Sequence, residues 1–236
     1  MTRPWVIRMR WLDLLFAHWP VDPAPLERLI PPGLELDRFE DQAWLGIVPF
    51  TMDDVAPRGV PAPGRFGTFP ELNVRTYVRR RDDPADRGVW FLSLDAFSWS
   101  TVWGSRRFFH LPYVHARMTS RRSGDEIRYE SERDDRAWPA VRFSARYRPT
   151  GPVAPAERGS FDEWSTNRLK LFSVDSRRRL IRGDIGHPPW PLQPAEGEID
   201  AAALAASHGI ALPDDPPRLR FARRLDVHGW LPVRSR

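Results

Sequence analysis

The sequence predicts a mainly β protein: a closed antiparallel barrel with short flanking helices, in one domain spanning residues 1–236. Three observations carry that prediction. Proline makes up 25 of 236 residues, too many for a helical bundle or coiled coil. Glu71–Arg79 (ELNVRTYVR) alternates strictly, with Leu72, Val74, Thr76 and Val78 on one row and Glu71, Asn73, Arg75 and Tyr77 on the other. Turn signals recur at a hairpin spacing of roughly 10–12 residues, which gives about ten strands and three short helices. A closed barrel explains a strand with one apolar and one polar row, because one row packs against an outer layer while the other lines a polar cavity.

In chain order, Trp11–Trp19 (WLDLLFAHW) is an apolar stretch that stops at Pro20. Asp22-Pro23 starts a helix, Asp as N-cap and Pro at the first helical position, running to about Ile30 and ending at Pro31-Pro32-Gly33. Leu34 and Leu36 alternate with polar neighbours, and Ala43–Phe50 reads as a strand. Asp53–Phe69 reads as a long Pro- and Gly-rich loop. Beyond the alternating strand, Arg79–Arg87 makes a charged turn and Val89–Phe97 returns. Thr101–Tyr113 is aromatic and basic. Ser123-Gly124 turns a hairpin between Val114–Ser120 and Glu126–Glu132, and Val141–Arg148 alternates again. Ser160 with Glu163 three residues on fits a capping box, with a short helix to about Leu169. Two strands bracket Arg177, Arg178 and Arg179. His187–Pro194 is a proline-stiffened crossing segment, Glu198–His208 an Ala-rich helix ending at Gly209, and Arg218–Trp230 a closing strand.

Composition narrows the function classes. There is no cysteine, which excludes disulfides, thiolate metal sites and cysteine nucleophiles. No run of about 18 apolar residues is present, so no transmembrane helix is expected and a cytoplasmic location is. Of 36 basic residues only Lys170 is a lysine. The charge runs are mixed: Arg79, Arg80 and Arg81 meet Asp82, Asp83 and Asp86, so a solvated face is expected and no nucleic-acid partner. The six histidines are scattered, without H-x-H or H-E-x-x-H spacing, so no metal and no other cofactor is expected. The chain has no G-x-S-x-G elbow, P-loop or G-x-G-x-x-G. His187, before two prolines, fits either a hydrogen-bonded core residue or a metal ligand. The aromatics Trp99, Trp103, Phe108 and Phe109 read as core, with a ligand wall or the interface of a homo-oligomer left open.

Glu71, Asn73 and Arg75 make the best chemical constellation, since residues at i, i+2 and i+4 point one way from a strand. Arg75 is suited to clamp a carboxylate by two parallel hydrogen bonds. Glu71 becomes a general base if burial raises its pKa. A buried ion pair with a hydrogen-bonded Asn, serving the barrel alone, fits the same residues. Asp95 sits in an apolar strand, either paired with an arginine or lining the cavity.

The segments Phe16–Asp22 (FAHWPVD), Leu29–Phe39 (LIPPGLELDRF), Phe69–Val78 (FPELNVRTYV), Gly88–Ala96 (GVWFLSLDA), Leu111–Tyr113 (LPY) and His187–Gln193 (HPPWPLQ) resemble the YqjF-like family of uncharacterised bacterial proteins, over about residues 5–232. More distantly the chain is similar to the acetoacetate decarboxylase superfamily, which implies that superfamily's barrel fold. The resemblance puts Glu71 where that family keeps its active-site Glu, and Arg106 on the Arg of its G-R-E-x-x-G-x-P-K-K block. The departures are decisive. The Schiff-base Lys becomes Tyr113, the Lys that depresses its pKa becomes Val114, and the Glu of G-R-E becomes Arg107. Lys170 is expected to face solvent at a helix-to-strand junction.

The function expected is therefore a small-molecule-binding barrel, possessing or once possessing an activity on a carbonyl or carboxylate compound without a Schiff-base lysine. Glu71 and Tyr113 are the expected catalytic pair, with Arg75, Asn73, Arg106 and Asp95 binding substrate. The alternative is a non-catalytic ligand-binding or structural protein.

Overall fold

A computed structural model describes residues 3–62 and 64–235. Its strands close into two rings that share a wall. β1 (Ile7–Val21), β3 (Ala43–Pro57), β4 (Phe69–Arg80), β5 (Arg87–Ala96) and β12 (Arg218–Gly229) are that wall. On one side β6 (Tyr113–Ser123), β7 (Glu126–Arg133), β8 (Arg142–Pro149) and β11 (Gln193–Asp200) bridge β5 to β12 and close a nine-strand barrel. On the other, β9 (Lys170–Val174) and β10 (Leu180–Gly186) bridge the same two strands and close a seven-strand barrel. β2 (Leu34–Leu36) pairs at the edge with β4, and β13 (Val233–Arg234) with β10.

Both faces of the shared wall are buried. Leu15, Ala17, Leu45, Ile47, Leu72 and Val74 pack with Tyr129 and Tyr147 inside the nine-strand barrel. Their neighbours Leu14, Phe16, Val48, Phe50, Leu94 and Ala96 pack on the seven-strand side. This accounts for the nearly unbroken apolar runs at Trp11–Trp19 and Ala43–Phe50, since a strand covered on both faces has no solvent row. It also refines the expected barrel. The apolar row of β4 does not meet an outer layer; it fills a second interior. Each fully buried Leu or Ile there contributes about 1.5–3 kcal/mol.

Pairing is antiparallel except at β5, which runs parallel to β9 through Val89–Trp90 and to β6 through Leu94–Ala96. The cause is the segment between β5 and β6. It holds helix α2 (Trp99–Phe108), where the sequence suggested only an aromatic, basic stretch, and a helical crossover returns the chain in the parallel sense. Trp99 and Trp103 on α2 are exposed rather than core, and Phe109 packs against the cavity-side cluster; the Phe108 side chain lies outside the described residues.

The expected helix start at Asp22 is present. Helix α1 (Pro23–Leu29) has Pro at its first turn, and Asp22 Oδ1 accepts from Ala24 N at 3.0 Å. Ser160 Oγ likewise accepts from Glu163 N at 3.2 Å and caps α3 (Phe161–Thr166). The Glu163 carboxylate reaches back to Gly159 N at 2.6 Å, one residue before the cap. Two expectations fail. Asp53–Pro57 is strand, not loop, because Arg8 and Arg10 on β1 hold Asp54 and Asp53 across the pair, with Arg10–Asp53 at 2.9 Å. Glu198–Asp200 is the end of β11, leaving α4 only Ala202–Ala206. Cross-strand charge pairs, Glu196 with Arg148 and Glu198 with Arg146, override the helical pattern. Among the described residues no helix is long and apolar enough to cross a membrane.

Candidate functional site

The polar row of β4 opens into a cavity of about 190 Å³ inside the seven-strand barrel. Its walls are largely aromatic and aliphatic, among them Phe50, Phe91, Leu94 and Phe109, and its polar groups converge from β4, β6, β9 and the segment before it, β10 and the segment after it.

Glu71 lies at 2% exposure in this cavity. The Tyr113 hydroxyl donates to Glu71 Oε2 at 2.9 Å. Burial raises the Glu71 pKa to about 8, against a smaller lowering by the Tyr113 hydrogen bond. The carboxyl is therefore largely protonated at neutral pH, with one oxygen held by tyrosine and the other able to donate. Tyr113, standing where the resemblance puts the Schiff-base lysine, thus supplies a hydroxyl to the same pocket. Val114 points away from it and is fully buried.

Arg75 lies two turns of the pleat along β4 and is 9% exposed. The expected Glu71–Arg75 pair does not form. Among the described residues no carboxylate or hydrogen-bond acceptor meets the Arg75 guanidinium, and its Nε is buried without a partner. The group lies instead over two rings, 5.3 Å from Phe16 and 5.7 Å from Tyr77. Ring faces attract a cation but do not satisfy its N–H donors. Asn73, between them, is 7% exposed and has an unpartnered Oδ1.

Behind Arg75, His18 Nε2 hydrogen-bonds the Tyr77 hydroxyl. Desolvation first, then the charges of Arg75 and Arg218, push the His18 pKa down, so the ring stays neutral. Gly46 makes room for this contact; a Cβ there would stand 3.2 Å from His18 Nε2 and 3.3 Å from the Tyr77 hydroxyl.

Two expected site residues lie elsewhere. Arg106, at the end of α2, donates from Nε to the Tyr113 carbonyl at 2.7 Å and from Nη2 to Asp135 at 2.5 Å. It is not among the cavity residues, because its helix lies outside the barrel wall; it braces the backbone of Tyr113. Asp95 points to the other side of β5 from Leu94 and Ala96, and Arg133 clamps it with two hydrogen bonds of 2.8 and 2.9 Å. Lys170 also departs from expectation. It begins β9 on the cavity lining, and its ammonium is held by Asp86 at 2.5 Å.

Other cavity residues were not assigned by sequence. Arg168 reaches the wall; the Trp164 carbonyl at 2.5 Å and Asp37 at 2.6 Å take its Nε and Nη1, and its Nη2 is buried without a partner among the described residues. Trp11, Trp190 and His187 also line the cavity, from the apolar stretch of β1 and the proline-rich crossing segment. That segment's sequence, proline-stiffened and carrying an isolated His and Trp, was the available signal.

A family model described as "Uncharacterized conserved protein" (DUF2071) matches residues 8–226. The chain is 44% identical over 231 residues to "Uncharacterized protein YqjF" of Bacillus subtilis, covering 98% of this chain and 93% of that one. Solved structures are similar at lower identity. The enduracididine biosynthesis enzyme MppR, complexed with the condensation product of pyruvate and imidazole 4-carboxaldehyde, superposes with a TM-score of 0.69 at 11% identity, over 99% of this chain and 90% of that one. Acetoacetate decarboxylase from Legionella pneumophila gives 0.67 at 13% identity, over 100% and 92%. These neighbours share the double-ring fold described above. The chain belongs to the DUF2071 family of uncharacterised conserved proteins, of the same family as YqjF, built on the acetoacetate decarboxylase-like fold.

Proposed function

We propose that the protein binds a small carboxylate-bearing carbonyl compound in the seven-strand cavity and acts on it without a Schiff-base lysine. Arg75 takes the carboxylate, and Asn73 accepts a hydrogen bond beside it. Protonated Glu71, oriented by Tyr113, donates to the carbonyl oxygen and is the acid/base of the reaction. The observation that carries this reading is the buried Arg75 guanidinium, which no carboxylate of the described protein meets. A buried unpaired charge costs several kcal/mol, and an anionic ligand removes that cost. The fold neighbour solved with pyruvate supports the ligand class. Lys170, ion-paired with Asp86 at 2.5 Å and with no second lysine beside it to activate it, is given no nucleophilic role in this reading.

Titration calorimetry with pyruvate and acetoacetate tests the reading. Both bind the native protein, and Arg75→Gln weakens each at least about tenfold, the loss of one charge-assisted contact. Borohydride added to the pyruvate complex leaves the intact mass unchanged. Equal affinity in Arg75→Gln, or a reduced adduct on Lys170, refutes the assignment.

A further inference from the structure

An aromatic set lines the cavity beside its polar row. Trp190 is at its centre: its ring meets Phe16 edge-on at 4.8 Å, stacks on Trp11 at 5.8 Å and meets His187 at 5.2 Å. Phe16 in turn carries the Arg75 guanidinium over its face.

Two polar atoms of this aromatic set are buried without a partner among the described residues, Trp11 Nε1 and His187 Nε2. Indole nitrogen only donates. The role of the imidazole nitrogen is set by its other side. His187 Nδ1 lies 2.8 Å from the Pro188 carbonyl oxygen, which only accepts, so Nδ1 carries the proton and Nε2 presents a lone pair. Burial lowers the His187 pKa, so the ring remains neutral at pH 7. A donor and an acceptor thus flank one tryptophan ring. A hydroxyl answers both, donating to His187 and accepting from Trp11. The cavity that Trp11 and His187 line has room for a ring: at about 190 Å³ it exceeds the ~150 Å³ of an apolar cavity that takes up benzene.

Building on the carboxylate reading above, we propose that the ligand is a hydroxyaryl carboxylic acid. Its carboxylate lies on Arg75, its ring lies among Phe50, Phe91 and Trp190, and its hydroxyl bridges His187 Nε2 and Trp11 Nε1.

Calorimetry with 4-hydroxyphenylacetate, phenylacetate and pyruvate tests this on the native protein and on Trp11→Phe and His187→Leu, each first checked for a cooperative thermal transition. The hydroxylated acid binds about tenfold tighter than phenylacetate, the difference made by one or two net hydrogen bonds. Either variant brings that ratio close to one. Equal affinity of the two aryl acids for the native protein overturns the proposal, as does a ratio that survives both substitutions. If one variant does not fold, the native ratio and the other variant decide. Binding of pyruvate with neither aryl acid overturns this proposal and leaves the carboxylate reading standing. Binding of none of the three overturns both.

Discussion

Arg133 and Arg75 are buried to a similar degree, one in each barrel, and the two barrels surround them differently. Arg133 in the nine-strand barrel has Asp95 in a two-bond clamp, with the Ser93 hydroxyl at 2.6 Å and the Ser207 hydroxyl at 3.3 Å. Arg75 in the seven-strand barrel has aromatic faces and open space. The nine-strand interior is filled by Tyr129, Tyr147, Phe143 and Phe221 and gives its buried charge a full set of partners, leaving a neutral hydroxyl, Ser131 Oγ, without one among the described residues. The lining of the seven-strand cavity leaves the Arg75 charge, one N–H group of Arg168, an amide oxygen and two ring nitrogens unanswered among the described residues. A structural polar network satisfies itself, whereas a binding site is recognised by what its own chain does not satisfy.

The comparison breaks most directly at the two charges. Asp95→Ala strands Arg133 in the packed barrel and lowers stability by about 3–5 kcal/mol. Arg75→Met removes a charge that has no partner and leaves stability unchanged or raised. Urea unfolding of the two variants measures both, and equal losses erase the distinction.

Glu71 sharpens it through pH. Its folded pKa, about 8, lies above the ordinary value of 4.5, so the folded state holds a proton that the unfolded chain releases. The stabilisation is complete below about pH 4.5 and is lost as pH rises towards 8, at up to about 1.4 kcal/mol per pH unit. In Glu71→Gln this slope disappears, and the variant overtakes the native protein in alkaline buffer. Unfolding free energies measured between pH 5 and 9 show it. A parallel slope in both proteins refutes the assignment to Glu71.

Tyr113→Phe removes one hydrogen bond and costs about 1 kcal/mol. Because that bond favours the carboxylate, its loss shifts the Glu71 midpoint upward, which infrared titration of the carboxyl band detects. The smallest effect belongs to Arg106→Ala. Its contacts lie outside the cavity and its side chain is 37% exposed, so stability falls by less than about 1 kcal/mol and acid binding is unchanged. A loss of binding as large as that of Arg75→Gln returns Arg106 to the site.

Much of this was legible in the sequence because it is local. The rows of β4, the caps at Asp22 and Ser160 and the Ser123-Gly124 hairpin each depend on a few adjacent residues. Glu71, Asn73 and Arg75 followed from period-2 spacing, and Tyr113 from the resemblance. Ring closure is not local. Whether Asp95 faced the cavity or an arginine depended on which barrel each face of β5 bounds. Lys170 and His187 reach the cavity only because β9 and β10 complete the smaller ring. Helix α2 and the short α4 were misjudged where a crossover and a ladder of cross-strand charge pairs override local propensity.

β4 belongs to both interiors at once, and its positions divide by parity. Between Glu71 and Arg75, odd numbers answer to whatever the cavity receives and even numbers to the fit of the neighbouring core. Inserting or deleting one residue in this stretch exchanges the two assignments, placing leucine and valine against the cavity and a carboxyl and a guanidinium among tyrosines. Homologues that change ligand are thereby free to vary at alternate positions while length stays fixed. A deep mutational scan of this strand, scored separately for abundance and for ligand uptake, will read as two interleaved records, one for each barrel.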